Sequence, residues 1–191
     1  MGIRIAIQGD IATGKSTLTQ YMQSQYDWYA IEYADSLKWA LCRALNYFEE
    51  ETGKHFFLDD IHADKDRYRK VLQELGTAVG FDEGAGVEMA VNEWVIRRRS
   101  ANQPVIFDNV RFPAQFEMLK RHGFVLVELW VNYDIRKARA AAKSIKLDTY
   151  GHAAEESRNE PDVYLNANGT IEETAELLLR LNGQRITRKA A

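Results

Sequence analysis

Two rhythms of apolar and polar residues succeed one another along this chain. Residues 3–8 (Ile-Arg-Ile-Ala-Ile-Gln) make a short β-branched run that stops at Gly9, and residues 15–25 then mix polar and apolar positions as a helix does. A second aromatic and β-branched run covers residues 28–33, after which Leu37, Leu41, Ala44, Leu45 and Phe48 fall on one helical face. Residues 65–79 repeat the helical period through Val71, Leu72, Leu75 and Val79, and residues 87–99 predict a further helix. The stretch 50–64, rich in acids and aromatics, receives no element from the pattern.

The second half alternates more cleanly. Residues 104–108 (Pro-Val-Ile-Phe-Asp) read as a buried strand, Pro113 opens a helix where its missing N–H costs nothing, and Gly123 closes it. Residues 124–131 are nearly all apolar, as in a central strand covered on both faces. A basic helix from Asp134, a short strand at 163–165 and an amphipathic helix over 170–181 complete the series, the last with Ile171, Ala175, Leu178 and Leu179 on one face. Pro104, Pro113 and Pro161 all stand at element boundaries. Five strands alternating with helices predict an α/β fold, a five-stranded parallel sheet flanked by helices on both faces.

At 191 residues the chain is the size of one domain with room for a small insertion. Its 46% hydrophobic and 28% charged residues exclude wholesale disorder. A formal net charge of -3 sets aside binding of nucleic acid by bulk charge, so any such contact would be local. Cys42 is the sole cysteine, which leaves no internal disulfide or Cys-rich zinc site and points to a reducing, cytoplasmic setting. No apolar run approaches the roughly 20 residues that span a bilayer, and residues 1–7 lack a signal-peptide pattern, so no membrane partner is expected. His55, His62, His122 and His152 show no metal-ligand spacing.

The sharpest chemical signal is Gly9-Asp10-Ile11-Ala12-Thr13-Gly14-Lys15-Ser16, followed by Thr17, which matches G-x-x-x-x-G-K-[ST] in full. The glycines let backbone N–H groups curl round phosphates, and the helix that follows presents its N-terminus to the same anion. Lys15 would reach the β- and γ-phosphates of a nucleotide, and the Ser16 hydroxyl would ligate Mg²⁺. The motif also occupies the first strand-to-helix turn, where an open α/β sheet binds ligands.

Other candidates surround it. Asp108 ends an apolar strand, as expected of an acid that holds the Mg²⁺ shell or its waters, although an Asp there can also simply cap the next turn. Arg111 follows in Asn109-Val110-Arg111, at the same edge of the sheet. Arg136, Arg139, Lys143 and Lys146 fall within an arc of about 80° on a helix, one cationic face without Glu partners at i+4, suited to neutralising a transferring phosphoryl group. Asp35 and Lys38 follow the second strand; Asp35 suits a helix N-cap and a substrate contact equally. Arg67 and Arg69 begin a helix and are either acceptor-phosphate ligands or surface residues. Asn168-Gly169-Thr170 reads as a turn in which Thr170 caps the last helix.

The full set resembles the deoxynucleoside monophosphate kinases of bacteriophages, a branch of the P-loop nucleoside monophosphate kinase superfamily. The resemblance spans residues 3 to about 182. Besides the phosphate loop it rests on Ala34-Asp35-Ser36-Leu37-Lys38, Leu72-Gln73-Glu74-Leu75-Gly76-Thr77, Asp108-Asn109-Val110-Arg111-Phe112-Pro113 and His152-Ala153-Ala154-Glu155. It implies a kinase domain over residues 1–182, with an acceptor-binding region at about 35–100 and a mobile lid at about 134–158, and a basic tail at 183–191. It implies ATP and Mg²⁺ as donor, with Asp35, Lys38, Arg67 and Arg111 facing the acceptor and Arg136 and Arg139 in the lid. Three departures bear on the acceptor: Ala78 to Phe81 where similar sequences place an acid and then Gly-Arg, Gln115 in place of an acid, and Ala154 in place of a Ser.

The leading expectation is therefore transfer of a phosphoryl group from ATP to a (deoxy)nucleoside monophosphate, with no covalent intermediate, by a monomer or homodimer. One alternative keeps the fold and moves the acceptor to 5-hydroxymethyl pyrimidine in DNA, against which the net charge of -3 argues. The other is a P-loop ATP-binding regulatory module without acceptor, against which stand the arginine-bearing helix and Asn109, where such switches usually carry a second acid.

Overall fold

The period-two runs become five parallel strands, β1 (Arg4–Gln8), β2 (Tyr29–Ile31), β3 (Val105–Phe107), β4 (Val125–Trp130) and β5 (Val163–Asn166), in the order β2-β3-β1-β4-β5. They belong to a computed structural model of the chain that describes residues 2–31, 35–80, 85–97, 100, 102–108, 110, 113–144, 147 and 159–181, with the backbone alone at 62, 65, 66, 93, 96 and 97. Its helices are α1 (Lys15–Tyr26), α2 (Asp35–Asn46), α3 (Glu49–Thr52), α4 (Leu58–Ala63), α5 (Lys65–Ala78), α6 (Ala85–Arg97), α7 (Pro113–Arg121), α8 (Tyr133–Ala142) and α9 (Ile171–Arg180). The chain divides into two compact units, residues 1–31 with 98–191, and residues 32–97.

The first unit holds the sheet. β1 lies at its centre, with Ile5 opposite Ile106 on one side and Val125 on the other, and Ile5, Ala6 and Ile7 are fully buried. Alternation then sorts the two faces. Ile5, Ile7, Ile106, Val127, Leu129 and Leu165 pack with Leu18 and Met22 of α1 and with Ala175 and Leu178 of α9. The opposite face carries Ala6, Phe107 and Leu126, and buries Phe116 and Leu119 of α7 along with the Phe124 ring, set edge-on to Phe107. The chain runs from β1 to β2 and back to β3 on one side, then crosses to β4 and β5 on the other, so the winding reverses beside β1, and the carboxyl ends of these strands open the crevice in which α/β sheets bind ligands.

The second unit is helical, with α2 packed against α4, α5 and α6. Leu41, Cys42, Ile61 and Tyr68 form its core, joined by Leu45 and Leu72. Three expectations from the sequence change here. The buried face of α2 is rotated toward Lys38 and Cys42, while Ala44 is exposed and Phe48 lies beyond the helix end, where its ring sits edge-on to Tyr47. On α5 the inward stripe is Tyr68, Leu72 and Leu75; Val71 sits at its margin and Val79 past the last helical residue, so both are exposed. The stretch 50–64 supplies α3 and α4, and α4 delivers the fully buried Ile61. Asn46 fixes the segment between them, donating to Phe56 O at 2.9 Å and accepting from Phe56 N at 2.7 Å.

No helix among the described residues is long and apolar enough to cross a membrane. The N-terminus of α9 closes in a capping box: Glu173 N donates to Thr170 Oγ1 at 3.2 Å, and Thr170 N donates to the Glu173 carboxylate at 2.9 Å. Replacing Thr170 with Ala removes one of these two bonds and is expected to cost about 1 kcal/mol. For a chain of this size that lowers the melting temperature by about 2–4 °C in a calorimetric scan. An unchanged melting temperature would show that the cap contributes nothing.

Candidate functional site

The turn from β1 into α1 is built by backbone conformations that few residues adopt. Gly9 has φ 147° and Gly14 φ 100°, and a Cβ on Gly9 would stand 2.8 Å from the Leu129 carbonyl oxygen of the neighbouring strand. Ala12 is also left-handed at φ 63°, which for a residue with a Cβ costs on the order of 1 kcal/mol. The loop is tied to itself through one oxygen. Asp10 O accepts from Thr13 N at 3.4 Å, Thr13 Oγ1 at 2.9 Å and Lys15 Nζ at 2.8 Å, and Lys15 Nζ also donates to Gly9 O at 2.6 Å.

Below the loop, Gln8 Nε2 donates to the Glu128 carboxylate at 3.1 Å and to Asn159 O at 2.7 Å, a buried polar tie between β1, β4 and the approach to β5. The sequence pattern hides this tie, since Glu128 stands in a run that otherwise reads as continuous apolar strand.

Helix α8 lays its cations on the loop. Arg136 pairs with the Asp10 carboxylate through Nη1 and donates Nε to Ile11 O at 3.2 Å. Arg139 donates Nη1 to Thr13 O at 3.2 Å, and Nη2 to Ala167 O at 2.9 Å and Gly169 O at 3.1 Å. Lys143, at the end of α8, reaches Thr17 Oγ1 at 3.3 Å. The expectation that nothing neutralises this stripe is therefore corrected for Arg136, whose carboxylate partner Asp10 comes from the phosphate loop and not from its own helix. Arg139 joins that loop to the turn between β5 and α9. A Cβ on Gly169 would displace the Glu173 carboxylate that caps α9.

These elements enclose a cavity of about 460 Å³, lined by residues 12–17, Leu129, Arg139, Lys143, Ala167, Gly169, Thr170, Ile171 and Thr174. One wall is polar and cationic, from Lys15, Arg139 and Lys143; Leu129, Ala167 and Ile171 make the other apolar. The turn at 167–171 appears in the sequence only as a cap and turn, so its role as a wall emerges from β5 lying beside β4.

Asp108 follows β3, half-buried at the same end of the sheet, and the Val110 N–H that comes next donates to Ile7 O at 3.4 Å. Burial pushes the Asp108 carboxyl above its ordinary value of 3.8, and the Thr19 hydroxyl and the Lys15 ammonium oppose that rise without cancelling it. The Thr19 Oγ1 is buried and makes no fully formed hydrogen bond, so it acts on Asp108 as a nearby dipole. The Ser16 hydroxyl is exposed at the start of α1. An exposed hydroxyl and a half-buried carboxylate beside a phosphate loop suit Mg²⁺, which takes one or two protein oxygens and completes its shell with water and phosphate. Among the described residues no cluster of three or more His, Cys, Asp or Glu side chains forms a metal cage.

In the second unit Asp35 opens α2 and its carboxylate pairs with Lys38 Nζ at 2.7 Å, with the lysine largely buried. Arg67 lies over the Tyr68 ring, 5.4 Å from its centroid, and Arg69 is exposed on the same helix. Arg111, Lys146, Phe81 and Ala154 lie outside the described residues. Gln115 is fully buried within α7, so the neutral amide there belongs to the packed interior of the unit.

No protein-family model matches the chain and no curated protein matches its sequence. Solved structures match over nearly its whole length. The Thermus thermophilus protein TT1252 is 19% identical, with a TM-score of 0.54 over 95% of this chain and 97% of that one. Shikimate kinase from Bacteroides thetaiotaomicron is 21% identical, with a TM-score of 0.51 over 95% and 99% of the two chains. A sugar kinase from a Janibacter species is 14% identical, with a TM-score of 0.51 over 96% and 95%. At these identities the likeness is one of fold, and the chain has the five-stranded α/β fold of the shikimate and sugar kinases.

The raised carboxyl of Asp108 has a consequence for stability. Between pH 3.8 and its raised value, the folded chain holds a proton that the unfolded chain has released, so its contribution to stability falls as pH rises through that window. At neutral pH the buried charge is a net burden. Asp108→Asn should therefore raise the melting temperature at pH 7 by about 1–4 °C, a gain that shrinks as pH is lowered toward 4. A lower melting temperature at pH 7 would contradict this account.

Proposed function

We propose that this chain is an ATP-dependent phosphotransferase that moves the terminal phosphoryl group of ATP to a (deoxy)nucleoside monophosphate, giving the diphosphate and ADP. The observation that carries the reading is the shared cavity, in which the phosphate loop, its lysine and two cations of α8 face the turn between β5 and α9. A polyphosphate seated on that loop meets the N-terminal N–H groups of α1 on one side. On the other it meets Lys15, Arg139 and Lys143, while Leu129, Ala167 and Ile171 offer the apolar surface that a base requires.

Ser16 and Asp108 would hold Mg²⁺, and the ion would neutralise charge on the donor phosphates. The chain's own work is positioning and electrostatics. Lys15, which donates to the carbonyls of Gly9 and Asp10, would turn its ammonium to the phosphate oxygens. Arg139 is fixed by three carbonyls and needs little reorganisation to present its guanidinium to developing charge. Asp35, Lys38, Arg67, Arg69 and Arg111 are assigned to the acceptor, whose phosphate such cations hold.

The test is ADP release from ATP and Mg²⁺ over a panel of acceptors, with Lys15→Ala as the blank. The panel holds each deoxynucleoside monophosphate, each ribose counterpart, shikimate, a set of sugars and a duplex carrying 5-hydroxymethyluracil. Turnover with one or more free monophosphates, reduced at least 10²-fold in the Lys15 variant, is the expected outcome. Turnover confined to the duplex, to shikimate or to a sugar would overturn the acceptor assignment and keep the transferase. No turnover with any acceptor would overturn the transferase reading.

A further inference from the structure

Arg136 and Arg139 begin as equivalent members of one cationic stripe, but their partners separate them. Arg139 bonds only to main-chain carbonyls that border the cavity, and it is part of the lining with Lys143. Arg136 is absent from that lining and closes on the Asp10 carboxylate and Ile11 O. The pair is mostly withdrawn from solvent, with the arginine side chain 15% and the aspartate side chain 32% exposed.

A carboxylate inside a loop that holds phosphates is an electrostatic conflict, because like charges in a partly desolvated site repel. Residue 10 is also poorly placed to move away. Its carbonyl oxygen is the shared acceptor of Thr13 N, Thr13 Oγ1 and Lys15 Nζ, so shifting Asp10 would dismantle the loop. A cation brought from another element resolves the conflict without moving the loop, and a guanidinium can take the carboxylate and a neighbouring carbonyl at once.

We propose that Arg136 is a positioning residue that acts on the donor phosphates through Asp10: it cancels the carboxylate charge and holds it against α8, leaving the bowl of the loop free of negative charge. This rests on the nucleotide reading of the loop. It separates two roles along one helix, with Arg139 and Lys143 touching the donor and Arg136 preparing the loop that receives it. Two other roles would give the same picture of contacts, a direct phosphate ligand and a mere tether between α8 and the loop. They differ in the sign of what happens when the Asp10 charge is removed.

Calorimetric titration of ATP and Mg²⁺ into the full chain tests this without any acceptor, using wild type, Arg136→Gln, Asp10→Asn, the double variant and Arg136→Lys. The expected result is that Arg136→Gln weakens ATP binding about 20-fold and Arg136→Lys by no more than about threefold. Asp10→Asn binds ATP at least as tightly as wild type, and adding Arg136→Gln to it costs less than about threefold. An equal loss from Arg136→Gln in both backgrounds would overturn the proposal in favour of a direct ligand. Weakened binding by Asp10→Asn alone would overturn it in favour of a tether. Melting curves on the same samples report folding, and if Arg136→Gln does not fold, the sign of the Asp10→Asn effect decides alone. A wild-type chain that binds no ATP would overturn the nucleotide reading itself, which separates that failure from the failure of the Arg136 assignment.

Discussion

Charge-assisted hydrogen bonds from Lys15, Arg136 and Arg139 to the oxygens of residues 9–13 hold together the part of the molecule on which everything else depends. With the bonds from Arg139 to Ala167 O and Gly169 O, they join three segments distant in sequence: the turn after β1, helix α8 and the turn before α9. Hydrogen bonds to ionised donors are stronger than neutral ones, so a few of them can fix a loop that has no regular structure of its own. Lys15 and Arg139 are also the cations proposed to meet a polyphosphate, with main-chain carbonyls of the loop as their partners in the protein and phosphate oxygens as their partners in the reaction. Arg136 stays on the Asp10 carboxylate and Ile11 O.

The sheet makes that convergence possible. β1 is buried on both faces at the centre of the strand order, so the loop it delivers starts from the most rigid point of the first unit. Stability is then given up locally for geometry. Ala12 takes a left-handed conformation at φ 63°, and Asp108 keeps an ionisable group where burial disfavours its charge. Such costs are borne by the apolar contacts between the sheet and α1, α7 and α9, and they concentrate at the carboxyl end of the strands, where function is expected.

Much of this was legible in the residues. The strands at 3–8, 104–108, 124–131 and 163–165 follow from their apolar runs, and the phosphate loop from its spacing, because both are local patterns. The partner of Arg136 was hidden, since Asp10 lies 126 positions away and only the packing of α8 on the loop brings them together. The wall formed by Ala167, Gly169 and Ile171 was hidden for the same reason, as its residue types say only turn and cap. In the second unit the helical period identified α2 and α5, but Phe48 and Val79 were assigned to faces that end before them, because periodicity does not mark where a helix stops. Ile61 shows the converse: a short stretch mixing acids with Phe56, Phe57 and Leu58 has no clear period, yet its Ile61 fills the core of that unit.

The central claim is that one cavity binds a nucleotide chiefly through its phosphates, and the most direct test is displacement of a ribose-labelled fluorescent ATP. Because the label reports only its own site, competitors that bind elsewhere do not register. ADP, ATP and inorganic tripolyphosphate are predicted to displace it, with adenosine at least about 100-fold weaker than ATP, a difference of about 2.7 kcal/mol in binding free energy. Adenosine displacing it as well as ATP does, or tripolyphosphate failing to displace it, would contradict the account.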